Sequence, residues 1–409
     1  MKSSVLKNNT LFKVIISVFM CIFSMIACND DFLKEKPVAK LSGENVLTSV
    51  DGFESAIANI HFSARDELAG EDLRRYFYMF TGTDIVTVGQ LGEKHFRNYE
   101  TYLTPYTDAA TRTWNWVYTS IISQANFVIH YAEKEEVNNI WKDDAQKNAI
   151  IAEAKFFRAY GHNILANLYG GVPIADRYYT SPKTDFVRST RKEVYSFIVQ
   201  DLEFASQWLP ATVSKEKEGR IVKAAADHLL TEVYISLGEY DKAIQSATNV
   251  IDSGLYRLMT ERFGVNKNKP GDVFSDLFLE GNMNRSSGNM ETIWVWQYDE
   301  YALGGSSTVG GNQMVRGWLP FMVQLTDPAG KLGMALNVDT LGRGVGICRP
   351  TTYFLYDLWK DNWNNDIRNS KYNIKRDFWY NNPQSTYFGK KVEAKKTDLD
   401  TLQRIYPYI

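Results

Sequence analysis

The chain has 409 residues, 44% of them hydrophobic and 23% charged, with 24 Tyr, 22 Phe and 10 Trp. It is too apolar to be disordered and long enough for a large core or two to three smaller ones. A formal charge of −2 and a pI near 6.3 leave no basic footprint, which argues against a nucleic-acid partner. So many tyrosines for so little net charge point to rings that work half-exposed, at a binding surface.

The first 27 residues read as an export signal. Lys2, Lys7 and Lys13 precede the uncharged run from Val14 to Ile26. As a helix that run would extend about 20 Å, short for a hydrocarbon core of about 30 Å. A cleaved signal fits better than a membrane span. Three cysteines are present. Cys21 lies in the signal and Cys28 directly after it, which leaves Cys348 alone in the remaining chain, with no internal disulfide and no base to activate it. Cys348 is expected to be a small buried or half-buried residue. No later stretch is apolar enough to span a membrane.

A polar tether is expected over 28–40, then a helical region to about residue 260. Phe53, Ile57 and Ile60 mark a first helix. Residues 67–110 lose periodicity and read as long loops. Trp114, Val117, Ile121, Ala125 and Val128 share one face of the next helix. The clearest helix spans 143–169, with Ile150, Ala154, Phe157, Ile164 and Leu168 in one stripe, and it ends at Gly170-Gly171-Val172-Pro173. Three more helices follow over 190–209 and 222–253. The turn between the last two, Leu237-Gly238-Glu-Tyr240-Asp-Lys-Ala243-Ile244, matches a tetratricopeptide repeat. Gly238 closes one helix and the small Ala243 lets the next one approach. Such pairs stack because none buries its apolar face alone.

Past residue 260 the chain is rich in Gly, Asn and Trp. Alternation over 291–298 predicts a strand, and 352–362 reads as a helix. The Gly-rich stretch 299–350 is too long for a mere connector and is a candidate for part of a ligand surface.

The run Ile151-Ala-Glu-Ala-Lys-Phe-Phe-Arg158-Ala-Tyr-Gly-His-Asn-Ile-Leu-Ala-Asn-Leu-Tyr169-Gly-Gly-Val-Pro173 resembles the signature helix of SusD/RagB outer-membrane lipoproteins. Trp114 to Asn126, Glu291-Thr-Ile-Trp294, Arg349-Pro-Thr351 and Asp366-Ile-Arg368 resemble further family segments, in the family's order. Met25-Ile26-Ala27-Cys28 resembles a lipobox, which makes Cys28 the lipidated mature N-terminus; Asn29-Asp30-Asp31 resembles the acidic signal for surface export.

The resemblance implies a mainly α fold: a SusD-like superhelix of tetratricopeptide-like antiparallel helix pairs over 41–260. A loop-rich region with short strands follows over 261–409. Because family members continue through another helix pair, this last region is expected to be incomplete. It also implies a binding protein without catalysis or cofactor, anchored in the outer membrane and facing the cell exterior. Its partners would be a SusC-like TonB-dependent transporter and an oligosaccharide or, in some members, a peptide. A surface glycan hydrolase and a pure protein scaffold are the rival readings.

Sugar rings need flat apolar faces, with planar donors and acceptors at the edges. Two stretches outside the regular helices supply both. Residues 84–106 hold Arg97, Asn98, Tyr99, Tyr102 and Tyr106. Residues 296–318 hold Trp296, Gln297, Tyr298, Tyr301, Asn312, Gln313, Arg316 and Trp318. The expected ligand contacts are Arg97, Asn98, Tyr99, Tyr102, Trp296, Tyr298, Tyr301 and Trp318. Glu153 and Arg158 read as structural. The five histidines are scattered without a metal-ligand spacing.

Overall fold

The computed structural model describes residues 43–69, 80–89, 99–102, 104–106, 108–299, 302, 305, 317–322, 325–335 and 344–393. The signal, Cys28 and the tether lie outside the described residues, as do Arg97, Asn98, Tyr301, Asn312, Gln313 and Arg316. The chain divides into two units at Thr48 and Ser49; the first contributes one described helical turn, Gly43–Val46.

The second unit is mainly helical. Its principal helices are α1 (Val50–Ala69), α2 (Asp108–Trp116), α3 (Ser123–Ala132), α4 (Asp144–Tyr169), α5 (Arg191–Trp208), α6 (Lys223–Leu237) and α7 (Tyr240–Ile251). Neighbours in sequence pack as neighbours in space: α4 on α5, α5 on α6 and α6 on α7, the last two as a tetratricopeptide-like pair. α1 and α3 lie on α4 as well, which makes α4 the central helix.

Local chemistry sets the helix ends. Asp143 caps α4 by accepting from the Gln146 N–H at 2.8 Å, and Gly170, with φ of +77°, ends it. Thr190 and Glu193 form a reciprocal capping box on α5. Gly238 takes a left-handed conformation, φ +75°, between α6 and α7, where an L side chain would be strained.

Between α2 and α3 the helix widens into a π-helical segment, Val117–Ile122, against α4. Gly161 of α4 is the contact point: a Cβ there would lie 2.9 Å from Ile122 Cγ1 and 3.1 Å from Val117 Cγ1. Alanine at 161 gains helix propensity worth up to about 1 kcal/mol, but overpacking costs about 1–3 kcal/mol. Both neighbours are fully buried and cannot swing aside. Gly161→Ala is therefore expected to destabilise by about 1 kcal/mol in urea denaturation.

Of the stripe read along α4, Ile150, Ala154 and Phe157 are buried, Ile164 is half-buried and Leu168, near the helix end, is exposed. Glu153, Arg158, His162 and Asn163 are buried too, because neighbouring helices surround α4. Two later expectations are corrected. Residues 291–298 form no strand: Trp294 packs against Phe156, Phe157 and Tyr160 of α4, and its Nε1–H donates to Gly219 O at 2.9 Å. The alternation marks contact with a helix, without a ladder. Residues 352–362 form one π-helical turn, Tyr353–Asp357, followed by turns. Tyr356 stacks on Trp363, and the Asn/Asp-rich run after residue 360 favours turns over helix.

The described strands are short. β1 (Val86–Val88) pairs antiparallel with β2 (Cys348–Pro350), Val88 opposite Cys348. Val86, Val88 and Cys348 form a small satellite core.

Candidate functional site

The site is framed by a buried carboxylate. Glu153 of α4 accepts from Arg220 Nε at 2.8 Å and Nη2 at 2.5 Å, from the Ile221 N–H at 3.1 Å and from His61 Nε2 at 2.7 Å. Arg220 also pairs with Glu54 of α1. Burial alone would raise the Glu153 carboxyl, but the hydrogen bonds and charges of His61 and Arg220 outweigh it and hold it at about 2. The carboxylate thus ties α1, α4 and the segment before α6 together.

His61 and Arg65 are four residues apart and share one face of α1. With Trp296, Gln297, Gly219 and Arg220 they border a groove of about 170 Å³. Trp296 is half-buried and leans on Trp294, ring centroids 4.2 Å apart at 55°. Arg65 is buried; its Nη1 donates to Gln297 O at 2.5 Å, and its guanidinium lies over the Tyr298 ring at 4.7 Å. The Gln297 amide exchanges hydrogen bonds with Asn284 at 2.8 and 3.2 Å. Gly219, with φ of +96°, is a required glycine: a Cβ there would also meet Gln297 Cγ at 2.5 Å. The groove thus offers an indole, a guanidinium and an amide, the groups that grip the face and edge of a sugar ring.

The structure brings the predicted residues together in two places. Trp296 borders this groove, and Tyr298 packs behind it against the Arg65 guanidinium. Tyr99 and Trp318, from different stretches, both meet the segment around β1. Tyr99, 37% exposed, lies against Gly82, while Trp318 is half-buried on the satellite core, 6.4 Å from Phe80 at 73°. Trp318 therefore has a packing role on one side. Tyr102 lies on the same helical turn as Tyr99, Tyr99–Tyr102, and Tyr106 is almost fully exposed.

Sequence reasoning missed His61, Arg65 and Arg220. On α1 the first two look like a solvated polar face, and only their four-residue spacing hints otherwise. Among the described residues, no cluster of three His, Cys, Asp or Glu could hold a metal.

A family model described as "Starch-binding associating with outer membrane" matches residues 31–235, half of the chain. SusD-like protein P2 of Formosa agariphila is 28% identical over 58% of this chain and 46% of its own length. This chain thus spans about half the length of that relative. Among solved structures, a SusD superfamily protein from Bacteroides thetaiotaomicron superimposes with a TM-score of 0.58 at 21% identity, covering 86% of this chain and 70% of its own. Surface glycan-binding protein A of the same organism, solved with laminarihexaose, gives 0.57 at 19% identity over 79% and 62%. Fold, sequence and family model agree, and the chain belongs to the SusD-like family.

Proposed function

We propose that this chain is a lipoprotein that captures oligosaccharide at the cell surface, without chemistry on it, for import through a SusC-like TonB-dependent transporter. Residues 1–27 serve as the signal, Cys28 carries the lipid, 28–40 form the tether, 41–260 the scaffold and 261–409 the loop-rich ligand region. The observation that carries the reading is the Trp296 groove, where a half-buried aromatic ring stands beside the guanidinium of Arg65 and the amide of Gln297. The laminarihexaose held by the similar surface glycan-binding protein supports a glycan over a peptide. Tyr99, Tyr102, Tyr298, Tyr301, Trp318, Arg97 and Asn98 complete the proposed contact set.

Trp296→Ala is expected to weaken the binding of a neutral oligosaccharide about tenfold, which is about 1.4 kcal/mol. Isothermal titration of the full chain in detergent, with oligosaccharides and peptides as titrants, measures it. Binding of peptides alone, or release of product from an oligosaccharide, would replace this reading with one of its rivals.

A further inference from the structure

We infer that the chain carries a second, separate site for neutral sugar rings, in the cleft between the α2–α3 helix and the loop over 173–186. The choice of ligand class rests on the carbohydrate-binding reading above; the site itself rests on different residues. The cleft encloses about 800 Å³, within the range of about 300–1,000 Å³ usual for small-molecule sites, so it can hold several linked rings. The Trp296 groove, about 170 Å³, is far smaller.

Five aromatic rings line the cleft: Trp114 and Tyr118 from the helix side, Tyr178, Tyr179 and Phe186 from the loop. Phe186 is exposed and the other four are half-buried, so each keeps part of its surface open. Their positions are fixed without a ligand. The Tyr118 hydroxyl donates to Pro173 O at 2.6 Å. Trp114 abuts Tyr118 and Tyr169 at 5.0 and 5.2 Å. Tyr178 is wedged beside Phe127 and His130 at 5.5 Å each, and Tyr179 meets Phe186 edge-on at 5.4 Å. Rings already held in place lose little freedom on binding.

The loop has no regular secondary structure, yet its base is anchored to the core. Asn126 Nδ2 donates to Ala175 O at 2.9 Å, Arg158 Nη1 donates to Asp176 O at 2.6 Å, and the Ala175 N–H donates to His162 Nε2 at 3.3 Å. Buried polar groups of the signature helix therefore hold one wall of the cleft in place. This gives Arg158 and His162 a role that core packing alone does not explain.

The wall chemistry selects the ligand. Arg177 pairs with Asp176 at 3.2 Å and Lys183 with Asp185 at 2.7 Å, so the charges on the loop cancel locally. Beside these two ion-paired cations, which themselves line the cleft, the exposed lining includes the hydroxyls of Ser123, Thr180 and Ser181. Aromatic faces with neutral hydroxyls suit an uncharged glycan; a phosphate or an acidic glycan would find no uncompensated cation.

The test is glycan-array binding of the full chain in detergent, then calorimetry with the strongest neutral oligosaccharide. Three variants are compared with the wild type: Trp114→Ala with Tyr178→Ala, Ser123→Trp, and Trp296→Ala. Ser123→Trp fills the cleft from an exposed helix position, so it separates occupancy from folding. The expected result is that the first two variants lower cleft binding about tenfold or more, while Trp296→Ala leaves that event in place. Binding removed by Trp296→Ala alone, and untouched by Ser123→Trp, would overturn the cleft and leave the proposed function standing. Binding of acidic glycans only at the cleft would overturn the ligand class, and no glycan binding at all would overturn both readings.

Discussion

Arg158→Met is expected to remove about 3–5 kcal/mol of folding stability, a large share of the roughly 5–15 kcal/mol that a domain holds. Arg158 and Asp201 are 4% and 1% exposed, and the guanidinium grips the carboxylate through Nε and Nη2, both at 2.7 Å. A third bond reaches Asn126 Oδ1 at 2.7 Å. Without the arginine, Asp201 keeps only the Lys155 ammonium at 2.9 Å, and Asp176 O loses its donor. A buried carboxylate left with a single partner is what makes the loss large. Arg158→Lys retains the charge but cannot reproduce the forked geometry, so it rescues only in part. Replacing both members, Arg158→Met with Asp201→Leu, is expected to cost less than Arg158→Met alone, because the buried carboxylate is gone and the cation that loses its partner, Lys155, is partly exposed. Urea denaturation of the three variants measures these differences; a loss under about 1 kcal/mol for Arg158→Met would be the figure of a surface pair.

Acid should destabilise the protein in two stages. Burial keeps His162 neutral and lowers it to about 4; its Nδ1 lies 2.8 Å from Arg158 O, and its Nε2 accepts from Ala175, so Nδ1 carries the proton. Between pH 6.5 and 4 the unfolded chain binds a proton at His162 that the folded chain refuses, so stability falls as pH falls. Glu153 acts lower. Its folded value of about 2 lies below the ordinary 4.5, so its contribution is full above about pH 4.5 and is lost on the way to 2. Each group is worth about 3 kcal/mol over its own window. His162→Gln should flatten the upper window and Glu153→Gln the lower one. The second variant also lowers stability at pH 7, because Arg220 loses one of its two carboxylate partners and keeps only Glu54. Urea midpoints between pH 7 and 3, with attention to the slope in each window, check both.

The core helices were legible because their signals are local. Asp143, the 150–157 stripe and Gly170 bound α4, and Leu237-Gly238 with Ala243 marks the α6–α7 turn. The polar half of α4 was not legible: apart from the Arg158 carbonyl beside His162, the partners of Glu153, Arg158 and His162 lie on other elements, and no spacing within the helix reveals them. The alternation over 291–298 misled for a related reason. Trp294 turns to α4 and Trp296 borders the groove, a pattern of period two that any extended chain shows when it lies on a helix. Trp296 and Tyr298 stood out as aromatics beside amides outside the helices. Tyr178 and Tyr179, a few residues past the Gly-Gly-Val-Pro stop of α4, drew no reading from the sequence.

The central claim is that this fold binds oligosaccharide through aromatic surfaces. Thermal melts of the full chain in detergent, with and without neutral oligosaccharides at increasing concentration, test it most directly. The account predicts a cooperative transition that rises with ligand, by about 2.7 kcal/mol of stability at 100 times Kd, and a smaller rise in Trp296→Ala. A cooperative melt that no oligosaccharide shifts, but that a peptide raises, would contradict it.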